Sequence, residues 1–385
     1  MATGGERALS AADERDCGFL RRAIEVGRRG LGRTSPNPPV GAVIVRGGRV
    51  VGEGWHRRAG GPHAEVEALR AAGGRARGAT LYCTLEPCSH EGRTPPCAPA
   101  VVEAGIARVV VGAIDPNPRV RGRGVRILRA GGLDVVLGVE TEASRDLIRY
   151  FAHFQRLHRP FVRLKLAASL DGRIATATGQ ARWITGAPAR ALVHRWRDEL
   201  DGILVGIGTV LADDPALTCR RRGGRDPVRI VLDASLRLPP SARLLAEGRS
   251  PVWIATREGY DRRRASRLER RGARILEVPA AGGRLDLAAV LRRLGEAGLL
   301  SVLVEGGSRV AAGFLAGGLV DECCLFLSPI LVGGDGVPMI GPLGTRMIAD
   351  APRLRIDRFE AVGRDWLAVA RPASRMPRGS VRSER

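Results

Sequence analysis

His63, Glu65, Cys88 and Cys97 are the residues whose types and spacing could do chemistry, and they fall in one stretch: PHAEVEAL, a spacer, then TLEPCSHEGRTPPC. An imidazole and two thiols, each thiol preceded by proline, are the ligands of a zinc site with its fourth position open. Zinc held in this way lowers the pKa of a water in the open position toward about 7, so it offers hydrolysis at neutral pH. Glu65 follows His63 by two residues, at the start of an apolar-periodic segment marked by Val66 and Leu69. One of the pair can hold a metal while the other reaches its water. The competing reading is a pair of unrelated buried cysteines and a surface histidine, the usual fate of isolated residues of these types. Four residue types in the right order outweigh it. Cys83, in the apolar run LYC, is expected to be a core strand thiol, and His90 is either a substrate contact or a loop residue.

The order resembles the H-x-E…P-C-x-x-C signature of zinc-dependent nucleobase deaminases, in which the glutamate shuttles protons and is not a ligand. The second spacing departs from it, because eight residues, Ser89 to Pro96, separate the cysteines here. An inserted loop must carry the chain round the metal. With that insertion, TSPNPPVGAVIV (34–45), HAEVEAL (63–69) and TLEPCSHEGRTPPC (84–97) resemble the bifunctional deaminase/reductase family of riboflavin biosynthesis. The resemblance continues through LKLAASLDGRIAT, GTVLADDPALTCR and VEGGS and covers nearly the whole chain. It implies an α/β protein with an N-terminal cytidine-deaminase-like three-layer α/β/α domain and a C-terminal dihydrofolate-reductase-like α/β domain. Zinc in the first and NADPH in the second would act on a phosphorylated pyrimidine, and a homo-oligomer is expected.

The resemblance also implies roles for particular residues. Asn37 and His56 match positions that bind the pyrimidine, although asparagine before proline is also an ordinary turn residue. Ala167, Trp183, Thr209, Asp213, Ser235 and the run Gly307, Ser308, Arg309, Val310, Ala311, Ala312 and Gly313 match positions for the nicotinamide cofactor. Arg197, Leu217, Arg220 and Glu305 match positions for the phosphorylated sugar. Arginine suits that task because its planar fork can grip a phosphate by two hydrogen bonds. Ala181, in GQARW, stands where the family commonly places a substrate-contacting serine, which puts one hydrogen bond in doubt. Lys165 is the only lysine in the chain, which suggests that a compact, titratable amine is wanted there. With Asp171, in SLDG, it is expected to assist proton transfer as the sugar opens.

The elements that must position these residues fall into two groups. FLRRAIEVGRRG has helical spacing and ends in glycine, SPNPP breaks into a turn, and VGAVIV and VVGEGW read as a β-hairpin. Then come a helix from Ala64, strand ATLYCTL, the metal loop, helix APAVVEAG, strand ARVVVGAI, a helix near VRILRAGG and strand LDVVLGV, a three-layer α/β pattern. ASRDLIRYFAHFQRLHRP reads as one connecting helical segment that carries His153 and His158. The zinc deaminase domain is thus expected over 1–158. From 159 to 372, FVRLKLAAS, VRIVLDAS, PVWIAT, ARILEVP and LLSVLVEGG alternate with helical segments such as APARALVHRWRDEL and LDLAAVLRRLGEAG. That alternation predicts a predominantly parallel sheet with a nucleotide at the strand C-termini. VEGGSRVAAGF runs from strand through two glycines into helix, which favours phosphate, but it is not the G-x-G-x-x-G fingerprint. Residues 373–385 are polar, basic and without periodicity, and are expected to be a disordered tail.

The 385 residues suit two domains of ordinary size. No apolar run approaches the roughly 20 residues of a membrane span and the N-terminus lacks a signal peptide's apolar region, so a cytoplasmic protein is expected. Seven sparse cysteines do not form a disulfide framework, and Cys323-Cys324, in VDECCLFL, reads as packing. The net charge of +22 invites an RNA-binding reading. Against it, arginine is spread along the chain and aromatics are only 4%, leaving few platforms for bases. A deaminase of tRNA or free nucleosides is the rival within enzymes, and the long cysteine loop and the NADPH-type residues oppose it.

Overall fold

In the computed structural model, which describes residues 11–92 and 94–373, the chain divides into two compact units, Met1–Leu157 and His158–Arg385. In the first unit α1 (Ala11–Gly27) precedes a hairpin of β1 (Gly41–Arg46) and β2 (Arg49–Trp55). Gly47 and Gly48, at φ 55° and 74°, make its turn, a conformation that side chains disfavour. Then follow α2 (Ala64–Ala72), β3 (Thr80–Leu85), α3 (Cys97–Glu103), β4 (Arg108–Ala113), α4 (Arg123–Ala130) and β5 (Asp134–Leu137). The sheet order is β2-β1-β3-β4-β5, antiparallel at the hairpin end and parallel from β3 onward.

Alternation along the strands makes the three layers. Val43, Val45, Tyr82 and Val110 pack with Leu20 and Ala23 of α1. Their neighbours Ala42, Ile44, Leu81, Cys83, Val109 and Val111 pack on the opposite face with Ala64, Ala68, Ala98, Val101 and Leu128. Cys83 is thus the expected core thiol. α2 lies very close on β2, since a Cβ on Gly54 would come within 2.3 Å of the Ala64 carbonyl and one on Gly52 within 2.4 Å of that of Ala68. This close seat fixes where α2 begins, and with it His63 and Glu65. The segment expected as one connecting helix is two, α5 (Thr141–Leu147) and α6 (Arg149–Leu157), because Ile148 leaves helical geometry at φ −99°, ψ 14°.

The second unit begins with β6 (Phe161–Ser169), β7 (Arg173–Ala175), α7 (Ala187–Glu199), β8 (Gly202–Gly206), α8 (Ile207–Asp213) and β9 (Val228–Leu232). α9 (Arg243–Ala246), β10 (Val252–Arg257), α10 (Arg262–Glu269), β11 (Ala273–Val278), the short β12 (Ala280–Ala281) and β13 (Arg284–Leu285), and α11 (Leu287–Glu296) come next. β14 (Ser301–Val304), α12 (Ser308–Ala316), β15 (Glu322–Ser328), β16 (Val337–Pro338), β17 (Leu354–Val362) and β18 (Asp365–Pro372) complete it. Nine strands form one sheet, β11-β10-β9-β8-β14-β6-β15-β18-β17, parallel through β15 and antiparallel at its last two strands. Val162, Leu164, Leu204, Ile230 and Val302 face α11 and α12, and Ile203, Val205, Val231 and Ile254 face α8 and α10. The tail expected at 373–385 lies, apart from Ala373, outside the described residues.

Arg163 and Glu322 are register partners on β6 and β15, joined Nε to Oε2 at 2.6 Å with side chains 5% and 4% exposed. Removing one partner of such a pair leaves the other charge desolvated. Arg163→Met is therefore expected to destabilise the protein by roughly 3–5 kcal/mol in urea titrations followed by tryptophan fluorescence, and adding Glu322→Leu should recover most of it.

Candidate active sites

Three donors meet in the first unit. His63 is the N-cap residue of α2, Cys97 opens α3, and Cys88 lies in the loop after β3. His63 Nδ1 is 3.2 Å from Cys97 Sγ and 3.4 Å from Cys88 Sγ, and the three donor atoms all lie within 4.8 Å of one another. Tetrahedral zinc with ordinary Zn–N and Zn–S bonds needs N···S of about 3.5 Å and S···S of about 3.8 Å, so the donor set fits the ion. Nδ1 faces the thiols, which leaves Nε2–H to Thr94 Oγ1 at 3.3 Å, an outer contact of the kind that fixes a ligand ring. Cys88 Sγ accepts the Cys97 N–H at 3.2 Å. Between the two sulfurs the Cys97 thiol donates to Cys88, which lowers Cys88 to about 4 and raises Cys97, so Cys88 is the thiolate of the pair.

His63 and Cys88 line a cavity of about 280 Å³ that Asn37, His56, Glu65 and Asp115 also line, with Cys97 buried behind them. Glu65, in the first turn of α2, is 3% exposed. Burial, and then the charge of Cys88, raise its carboxyl to about 7, where it can both give and take a proton at neutral pH. His56 Nδ1–H donates to the Pro62 carbonyl at 2.9 Å, so its Nε2 accepts from Asn37 Nδ2 at 3.1 Å. Burial keeps this imidazole below its ordinary pKa, in the neutral form that Nε2 needs in order to accept. The two expected pyrimidine contacts are thus tied to each other beside Glu65, and His90 lines the same cavity.

In the second unit the carboxyl ends of the neighbouring parallel strands β9, β8, β14 and β6 lie at one end of the sheet, where Ala167, Thr209, Ser235 and Gly307 are found. Gly306 and Gly307 have φ of 113° and 52°, and a Cβ on Gly307 would stand 3.3 Å from Thr209 Oγ1. The resulting cradle, with the free N–H groups of Ser308, Arg309 and Val310 at the start of the nine-residue α12, fits a cofactor phosphate. Ala311 and Ala312 are buried beneath it, and Gly313 packs near Leu287. Asp213 closes α8, and its carbonyl accepts from Arg182 Nη2 at 3.0 Å, which ties down the segment of Ala181 and Trp183. Trp183 is 61% exposed beneath the Arg190 guanidinium, 4.4 Å from its ring centroid.

A polar cluster gathers beside this cradle. Arg197 on α7 grips Glu305, at the end of β14, with Nε to Oε1 at 2.7 Å and Nη2 to Oε2 at 2.8 Å, and its Nη1 donates to the Thr218 carbonyl at 2.9 Å. Its two-bond grip is therefore already taken by a carboxylate. Burial would raise Glu305, but the charge and hydrogen bonds of Arg197 hold it down at about 2. Burial lowers Lys165, with Glu305 pulling against it. Leu217, at φ 55°, sends its side chain into the core, leaving only its main chain for a substrate. The exposed Arg220 follows three residues later. Asp171 is not placed among these groups: it accepts from Ser169 Oγ at 2.5 Å and Gly333 N–H at 2.7 Å. Those bonds lower it to about 2, which suits a turn anchor better than a proton donor.

Residues 160–368, more than half of the chain, match the family model described as the RibD C-terminal domain, and residues 13–113 match the cytidine and deoxycytidylate deaminase zinc-binding region. The riboflavin biosynthesis protein RibD of Bacillus amyloliquefaciens is 43% identical over 356 residues, 92% of this chain and 95% of that one. The chain belongs to the RibD family. RibD of Escherichia coli is 42% identical over 360 residues, covering 90% of this chain and 96% of its own. The solved structure of Acinetobacter baumannii RibD superposes with a TM-score of 0.84 at 37% identity, covering 94% of this chain and all of that one. A diaminohydroxyphosphoribosylaminopyrimidine deaminase/5-amino-6-(5-phosphoribosylamino)uracil reductase from Thermotoga maritima superposes at 0.83 and 38% identity, covering 94% and 99%.

Two groups in this RibD-family chain escape the sequence reading. Asp115, in the loop after β4, lines the zinc-site cavity, and burial raises it to about 6. His194 on α7 lies with Lys165, Arg197, Arg220 and Glu305 as its charged neighbours. The polar cluster DPNP after a strand could have drawn attention to Asp115. His194 carries no such signal.

Proposed function

We infer that this RibD-family chain is the bifunctional enzyme of riboflavin biosynthesis, a deaminase within 1–158 followed by a reductase within 159–372. It converts 2,5-diamino-6-(5-phosphoribosylamino)pyrimidin-4(3H)-one to 5-amino-6-(5-phosphoribosylamino)uracil with release of ammonia, then reduces the ribosyl group to ribityl. The convergence of His63, Cys88 and Cys97, at the wall of a cavity that Glu65 lines, carries the reading. When bound, zinc supplies a water acidic enough to attack at neutral pH. Glu65 would take a proton from the attacking water and hand it to the ring nitrogen, the water's second proton leaving with the amine as ammonia. Asn37 and His56 hold the pyrimidine against this floor.

NADPH supplies the hydride for C1 of the sugar, and the cradle from Gly307 to Gly313 with Thr209 and Ser235 aligns it. Lys165 hands a proton to the ring oxygen as the sugar opens. Arg220 meets the phosphate, and Glu305 with Arg197 fixes the cluster in which the sugar sits.

Among the described residues, no helix is long and apolar enough to cross a membrane. A cytoplasmic setting agrees with the seven free cysteines. A homo-oligomer agrees with the exposed apolar residues Ile356, Phe359 and Trp366 on β17 and β18, which sedimentation of the full chain would test.

The experiment is to incubate zinc-loaded protein with the diaminopyrimidinone ribotide and follow ammonia and NADPH together. Ammonia release followed by NADPH oxidation is expected. Chelation of zinc should stop both, while reduction of added phosphoribosylaminouracil continues. Ammonia without NADPH loss would remove the reductase assignment, and no change in either would remove the substrate.

A further inference from the structure

The loop that carries Leu217 and Arg220 is fastened to α7 by three hydrogen bonds. Arg197 Nη1 donates to the Thr218 carbonyl at 2.9 Å, the Cys219 thiol donates to the His194 carbonyl at 3.3 Å, and the Arg220 N–H donates to His194 Nδ1 at 3.3 Å. From the other side the Cys219 N–H donates to Asp226 Oδ1 at 2.8 Å. The left-handed Leu217, with its side chain anchored in the core, sets where this loop begins.

Of the three bonds between the loop and α7, only the last is accepted by a side chain, the other two ending on main-chain carbonyls. His194 accepts through Nδ1, so the ring proton resides on Nε2. Lysine or arginine has no acceptor atom and could not take the Arg220 amide, although basic positions in this chain are otherwise filled almost entirely by arginine. Burial, then the charge of Arg197, push the imidazole down to about 4, so the acceptor persists at neutral pH.

We propose that His194 is a positioning residue of the reductase half: by accepting the Arg220 amide it fixes the loop from which Arg220 meets the phosphate of the sugar substrate. The proposal rests on the reading of Arg220 as a phosphate contact. It assigns His194 no proton transfer and no contact with NADPH.

The test uses full-length, zinc-loaded protein and the variants His194→Leu, His194→Asn and Arg220→Gln. Asparagine places an amide oxygen close to the position of Nδ1. Calorimetric titration with ribose 5-phosphate and with ribose would be combined with KM and kcat for reduction of phosphoribosylaminouracil. His194→Leu is expected to raise both KM and the Kd of ribose 5-phosphate about tenfold, the worth of one ordinary hydrogen bond. Its kcat, its NADPH affinity and its ammonia release should stay near the parent's, and His194→Asn should restore most of the loss. A fall in kcat, NADPH affinity and thermal stability together, with no rescue by asparagine, would make His194 a packing residue and overturn the proposal. Ribose 5-phosphate affinity unchanged in Arg220→Gln would instead overturn the reading of Arg220, and the proposal with it.

Discussion

Glu65→Gln is expected to lower ammonia release about a thousandfold, within the range that a positioned general acid–base contributes, while the protein keeps its zinc. Glutamine preserves the size and polarity of the side chain in the first turn of α2 and removes only the proton traffic. The ligands His63, Cys88 and Cys97 are untouched, so metal analysis should return the parent's zinc content. NADPH oxidation started from the diaminopyrimidinone should vanish because its substrate is never made. Supplied with phosphoribosylaminouracil, the same variant should reduce it at the parent rate. The variant should also fold at least as stably as the parent, because an amide avoids the burial penalty that raises this carboxyl. Zinc lost along with activity would make Glu65 a ligand, and ammonia release near the parent rate would move the proton shuttle elsewhere, with Asp115 next in line.

The deaminase half is legible in the sequence because its chemistry is compressed into local patterns. His63 and Glu65 share a helix start, and the first strand of the hairpin before them is a continuous apolar run since one face meets α1 and the other meets α2. The reductase half is less so. Its site is assembled from the carboxyl ends of four central strands, β6, β8, β9 and β14, which are far apart in the chain, and only the Gly306-Gly307 turn leaves a local trace. Nothing in the spacing of Arg197 and Glu305 announces that they pair, because 108 residues separate them. Hence a phosphate grip could be expected of an arginine whose fork is already engaged. β17 also escapes periodicity: it is the sheet's edge strand and is exposed along most of its length, so no buried face imposes alternation on LRIDRFEAV.

Helix breaks are equally hidden. The apolar spacing of ASRDLIRYFAHFQRLHRP continues through Ile148, which is buried in the first unit's core, so a single helix and two abutting ones have the same pattern. Asp171 shows the opposite limit. Its place in SLDG beside the strand of Lys165 suggests partnership, whereas the backbone amides of Val332 and Gly333, far along the chain, claim its carboxylate.

Glu305→Gln should cost the reductase at least about a hundredfold in turnover of phosphoribosylaminouracil while ammonia release is unchanged, because misplacing substrate-holding groups by as little as an ångström has effects of that order. In the parent, the carboxylate holds Arg197 through two hydrogen bonds and opposes the burial that lowers Lys165. Without it, two cations share a desolvated cluster with no anion between them, and the loss of a buried partner is expected to destabilise the fold by roughly 3–5 kcal/mol. The pH dependence provides a separate check. Glu305 is held at about 2, below the ordinary glutamate value, so its stabilising contribution is complete above the ordinary value and is lost as pH falls toward 2. Acid titrations of the parent should therefore show stability falling across that window, and the glutamine variant, already less stable, should lack this component. Arg197→Gln in the Glu305→Gln background separates charge from packing. If the double variant is more stable than Glu305→Gln alone, the penalty lies in the stranded guanidinium; if it is less stable, Arg197 supports the loop through its bond to Thr218, and the cluster is held together by that strap as much as by the ion pair.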